Sequence, residues 1–81
     1  MITIEQIISM IQTALPDATV RVESEDLHHF EALVVSASFA GKRPVQRQRL
    51  VYAALEEPLL SGRLHALALK TVTPEEYTGT E

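Results

Sequence analysis

Cysteine is absent from these 81 residues. That excludes disulfide staples, thiolate nucleophiles and any metal cage built from the chain's own thiolates, and it fits a reducing cytoplasm. Tryptophan is also absent, and two Phe and two Tyr are too few for a platform on which nucleic-acid bases stack. No apolar run approaches the ~20 residues needed to span a bilayer, so no membrane association is expected. The opening Met1-Ile2-Thr3-Ile4-Glu5 carries no basic region, so no secretory signal is expected. There is no Ser/His/Asp set, phosphate-cradling glycine loop or dinucleotide fingerprint, which points away from an enzyme.

What is present is a globular composition, 46% apolar and 22% charged, without repeats or a Gly/Ser linker. Its length accommodates one core, and a single domain over 1–81 is expected. The net charge of −4 argues against a generic polyanion binder. The charge is nevertheless segregated: Lys42, Arg43, Arg47 and Arg49 place four of the seven bases within eight residues. That run is a candidate partner- or nucleic-acid-binding face. The adjacent acids Glu56-Glu57 and Glu75-Glu76 diverge by ~100° on a helix, so first-turn capping explains them better than acid/base catalysis.

Thr3-Ile4-Glu5-Gln6 forms a capping box, with Ile2 and Ile7 at the staple positions. Ile4, Ile7, Ile8, Ile11 and Leu15 follow helical spacing until Pro16 stops the helix. Ala18–Glu23 alternates as a half-buried strand does. The run Phe30–Ser36 predicts an inner strand covered on both faces, paired with the first as an antiparallel hairpin. A loop or single turn follows at 37–41. Pro44 then opens a helix with an apolar stripe of Leu50, Val51, Ala54 and Leu55. Pro58 breaks or restarts that helix, and Gly62 closes it. Leu64–Val72 predicts a third strand, with His65, Leu67 and Leu69 on one face and Leu64, Ala66 and Ala68 on the other. Thr73-Pro74-Glu75-Glu76 is a second capping box. The expected fold is α+β, a two-layer αββαβα domain of class II KH type. Its sheet is three-stranded and mixed, its helices lie on one face, and its last two strands are parallel.

Three histidines carry the chemistry of metal ligation or proton transfer near neutral pH. His65 opens the third strand, where a rim position suits either a ligand or a packing residue. His28 and His29 are adjacent, so in a strand they diverge and at most one joins His65. A KH domain clamps nucleic acid with a Gly-x-x-Gly loop. The matching Gly41-Lys42-Arg43-Pro44 lacks the second glycine, and Pro44 lacks a backbone donor.

Three stretches together resemble the BolA family, in its short bacterial, IbaG-like branch. They are His29-Phe30-Glu31-Ala32-Leu33-Val34-Val35-Ser36; Phe39-Ala40-Gly41-Lys42 leading to Val45-Gln46-Arg47-Gln48-Arg49-Leu50-Val51-Tyr52; and His65-Ala66-Leu67 running to Lys70-Thr71 and Thr73-Pro74-Glu75-Glu76. The resemblance implies the same αββαβα fold. It also implies a monothiol glutaredoxin as partner, sharing a [2Fe-2S] cluster in cluster trafficking or iron homeostasis. The partner and its bound glutathione bring the thiolates, so no cofactor is expected in the isolated chain. His65 matches the family's ligand at the last strand. The second ligand falls on His29 by the family's His-Phe pair, with His28 as the alternative. Imidazole can replace thiolate on an iron. Some members are described as DNA-binding transcriptional regulators or stress proteins, so DNA is the alternative partner, through Lys42, Arg43, Arg47 and Arg49. Alone, the chain is expected to be a monomer or a weak homodimer. It departs from the family in Arg47-Gln48-Arg49, where Arg-His-Arg is usual, and in Tyr77, where Trp is usual.

Overall fold

Helix α1, Ile4–Ala14, begins where its end groups are satisfied. The Thr3 hydroxyl accepts the Gln6 N–H at 3.1 Å, and the Gln6 side chain accepts the Thr3 N–H at 2.9 Å. The reciprocal pair removes two orphan donors. The helix stops because Pro16 disfavours helical backbone at the residue before it; Leu15 takes φ −127° and ψ 80°. Ile2, Ile7 and Ile11 are wholly buried, each contributing about 1.5–3 kcal/mol of apolar burial.

These coordinates are a computed structural model in which residues 2–79 are described; both ends of the 1–81 span lie outside them. After α1 come β1 (Thr19–Glu23), β2 (His29–Val35), a 3-10 turn (Ala37–Phe39), α2 (Pro44–Ala54), α3 (Glu56–Ser61), β3 (Ala66–Val72) and α4 (Pro74–Gly79). The expected αββαβα order holds. The break before Pro58 makes α3 a helix of its own, with Leu55 between α2 and α3.

The sheet has order β1-β2-β3. Strands β1 and β2 are antiparallel from Thr19↔Val35 to Glu23↔Glu31. Strands β2 and β3 are parallel from His29↔Ala66 to Val35↔Val72. Phe30, Ala32 and Val34 are buried, as are Phe39, Val51 and Leu55, and they form one core with α1. Helix α1 packs on β1 and α2, and α2 packs on β3.

Strand β2 is central, but the first part of its outer face is open, contrary to the reading of its apolar run; only at Val35 is that face buried. Glu31 is exposed and Leu33 half-buried. Leu33 stands in register between the exposed Arg21 and Lys70, and long cationic side chains of that kind can cover an apolar neighbour with their stems while their charges reach water. An outward apolar residue can therefore sit in a strand whose outer face is open.

A second network sets the far end of the sheet. The buried Ser36 hydroxyl donates to Asp17 Oδ1 at 2.8 Å, and the Ala37 N–H donates to Asp17 Oδ2 at 2.8 Å. These bonds hold the Asp17 carboxyl below the usual carboxylate range, the Ser36 bond contributing most.

Candidate functional site

Parallel pairing brings the starts of β2 and β3 side by side, because His29 is in register with Ala66. All three histidines therefore collect at one margin of the sheet: His28 and His29 at the start of β2, His65 just before β3.

His65 is held from the α3 side. Gly62 takes φ +82° after α3, a left-handed conformation that glycine adopts without Cβ strain. The Leu64 N–H then bonds back to the Pro58 carbonyl at 3.0 Å, and Leu64 is buried. This differs from the alternation read along 64–72. The ladder starts at Ala66, so Leu64 occupies a core seat instead of sharing the face of exposed Ala68, and His65 is exposed. Among the described residues the His65 ring makes no hydrogen bond. An imidazole in that condition has a lone pair free for a metal.

The hairpin loop fixes the other two. The Ser24 hydroxyl donates to the His29 carbonyl at 2.6 Å and accepts the Leu27 N–H at 2.9 Å. Asp26 Oδ1 accepts the N–H groups of His28 and His29, each at 2.9 Å. Asp26 Oδ2 meets His29 Nδ1 at 2.9 Å. Leu27 pays for this closure with φ +61°, a left-handed conformation costing a non-glycine residue roughly 1–2 kcal/mol. The bonds it accepts, the His29 N–H first, then the His29 ring and the His28 N–H, hold the Asp26 carboxyl far below the usual range.

His28 lines one surface hollow with His65, Leu27 and Arg63. His29 lines the neighbouring hollow with Asp26, Glu31 and Ala66. Sequence reasoning found the three histidines but missed Asp26 and Ser24, whose signal was a polar Ser-x-Asp stretch in a tight hairpin loop.

The basic run is not one free face. Arg47 forks onto Glu76 at 2.7 and 3.2 Å, and its Nε donates to the Lys42 carbonyl at 2.9 Å. Its side chain is only 12% exposed. The Glu76 bond raises the Arg47 pKa, and the Arg47 bond lowers that of Glu76. The Lys42 ammonium donates to the Ser38 carbonyl at 2.9 Å. Lys42 stays exposed despite that bond, as do Arg43, at the N-cap of α2, and Arg49. Glu76 also completes the second capping box, accepting the Thr73 N–H at 3.0 Å, as expected of that acid pair.

No group of three His, Cys, Asp or Glu able to hold a metal occurs among the described residues. Any metal bound at this margin must take part of its ligand set from another molecule. The donors present fit that role for a cluster whose other iron is held by thiolates, since imidazole is a competent iron ligand.

The family model described as "BolA-like protein" matches residues 10–76. This chain belongs to the BolA-like family. It is 36% identical over 72 residues to the acid stress protein IbaG of Escherichia coli, covering 89% of this chain and 84% of that protein. It is 49% identical over 49 residues to the DNA-binding transcriptional regulator BolA of Vibrio cholerae, covering 60% of this chain. That match spans 45% of the Vibrio protein, and the match to bovine BolA-like protein 1 spans 36% of its length. A solved BolA homologue from Coxiella burnetii superposes with a TM-score of 0.84 at 44% identity, covering 96% of this chain and 99% of that one. No described helix is long and apolar enough to cross a membrane.

Proposed function

We propose that this BolA-like protein is an accessory that docks a monothiol glutaredoxin and lends imidazole ligands to a [2Fe-2S] cluster shared with it, in cluster trafficking or iron homeostasis. The observation that carries the reading is His65: exposed, without a hydrogen bond among the described residues, and at a margin where His29 and His28 also stand. His65 and His29 are the assigned ligands, and His28 is the competitor, because it shares the His65 hollow. The cluster is cargo and supplies the redox-active iron. The chain contributes two neutral nitrogen donors, while thiolates come from glutaredoxin and its glutathione. Arg43 and Arg49 are free to meet acidic groups of either.

Anaerobic mixing with cluster-loaded monothiol glutaredoxin, followed by size-exclusion chromatography with iron and sulfide analysis, tests the reading. The expected result is one heterodimer peak carrying both iron and sulfide. Two separate peaks, with all iron left on glutaredoxin, would contradict it.

A second reading rests on the likeness to a protein named a DNA-binding transcriptional regulator. Within the basic run it has the exposed Arg43 and Arg49, and Lys42, which is exposed but bonded to the Ser38 carbonyl.

A further inference from the structure

The geometry assigns Asp26 as a positioning residue: its carboxylate fixes the His29 ring with the proton on Nδ1, so that Nε2 presents its lone pair to a metal. The identity of that metal rests on the function proposed above; the ring state itself does not.

A carboxylate only accepts hydrogen bonds, so the 2.9 Å contact between Asp26 Oδ2 and His29 Nδ1 requires the proton on Nδ1. In the neutral ring Nε2 is then the acceptor. In water a free neutral imidazole prefers the opposite tautomer, so the loop reverses the intrinsic choice. The carboxylate is not free to turn away, because its other oxygen already accepts the backbone N–H groups of His28 and His29, each at 2.9 Å. Ser24 closes the same loop through the His29 carbonyl and the Leu27 N–H. The ring remains reachable, its side chain being 79% exposed. A metal-binding imidazole oriented by a carboxylate on its other nitrogen is a recurrent arrangement, in which the outer group sets tautomer and basicity. Among the described residues, His28 and His65 have no such support.

Nitrogen-15 long-range correlation spectra of the full chain near pH 8, where histidine is largely neutral, test the assignment. Wild-type His29 should show the Nδ1-protonated pattern, and His28 and His65 mainly the Nε2-protonated one. In Asp26→Asn, the amide oxygen can keep the two backbone N–H groups while the NH2 faces Nδ1 and donates to it. The His29 proton should then move to Nε2 with far-UV circular dichroism unchanged. Wild-type His29 protonated on Nε2, or the same tautomer in both proteins, overturns the assignment. In titrations of cluster-loaded glutaredoxin, Asp26→Asn should raise the midpoint about 10- to 100-fold. A switched tautomer with an unmoved midpoint overturns the positioning role. Failure of the underlying reading has a different signature: the tautomer switches as stated, yet His29→Ala leaves the titration unchanged, which removes the metal role while the ring state stands.

Discussion

The Arg47 guanidinium grips the Glu76 carboxylate with two nitrogens, at 2.7 and 3.2 Å, across 29 residues of sequence. The pair joins α2 to α4 and removes one cation from the run that sequence alone presents as a basic face. Two residues conspicuous as charges thus act together as a tether.

Arg47→Gln should therefore lower the thermal midpoint while changing duplex-DNA affinity less than Arg49→Gln does. Arg49 is exposed and available to phosphate, whereas Arg47 is not. Thermal melts and fluorescence anisotropy on both variants check this. A larger DNA effect from Arg47→Gln would show that the tether opens in solution.

If DNA is bound through Arg43 and Arg49, only about two phosphates are neutralised. The logarithm of affinity should then fall by about 1.8 per decade of salt, at ~0.9 per contact. A salt series in anisotropy measures the slope. A slope near 3.6 would mean that all four bases of the run engage, contrary to the side-chain bonds of Lys42 and Arg47.

Asp17 gives the fold a defined acid dependence. Its pKa is lowered in the folded state by Ser36 and the Ala37 N–H. Its stabilisation is therefore present above the unfolded aspartate value of ~3.9 and is lost as pH falls through the lower folded value. Asp17→Ala should be less stable than wild type in urea unfolding at pH 7, with the gap narrowing below about pH 4. A gap independent of pH would locate the effect in packing instead of the carboxylate.

Core and surface leucine-like residues should part clearly. Ile11 is wholly buried and Leu60 is 80% exposed. Ile11→Ala should cost about 2–5 kcal/mol, and Leu60→Ser should stay within about 0.5 kcal/mol, both read from urea midpoints.

Local chemistry was legible in the sequence. Both capping boxes, the stop at Pro16, the helix start at Pro44 and the left-handed Gly62 each depend on a few neighbouring residues, and each stands where expected. The parallel pairing of β2 with β3 followed from the intervening helix. Contacts between distant segments were not legible: Asp17 with Ser36, and Arg47 with Glu76, depend on the folded path. The open first part of the sheet's outer face was hidden because the apolar Leu33 stands on it, in register between the exposed Arg21 and Lys70. At the site, the position of His65 was legible from the family resemblance. Its exposure was not, since alternation placed it with the half-buried Leu67 and Leu69. The strand starts at Ala66, two residues after the expected Leu64 and one after His65.

The account depends most on His65 as a ligand. Titration of the chain into cluster-loaded monothiol glutaredoxin, followed by visible circular dichroism, measures this directly. Wild type should produce a new saturable spectrum and His65→Ala should leave the glutaredoxin spectrum unaltered; an identical new spectrum from His65→Ala would contradict the account.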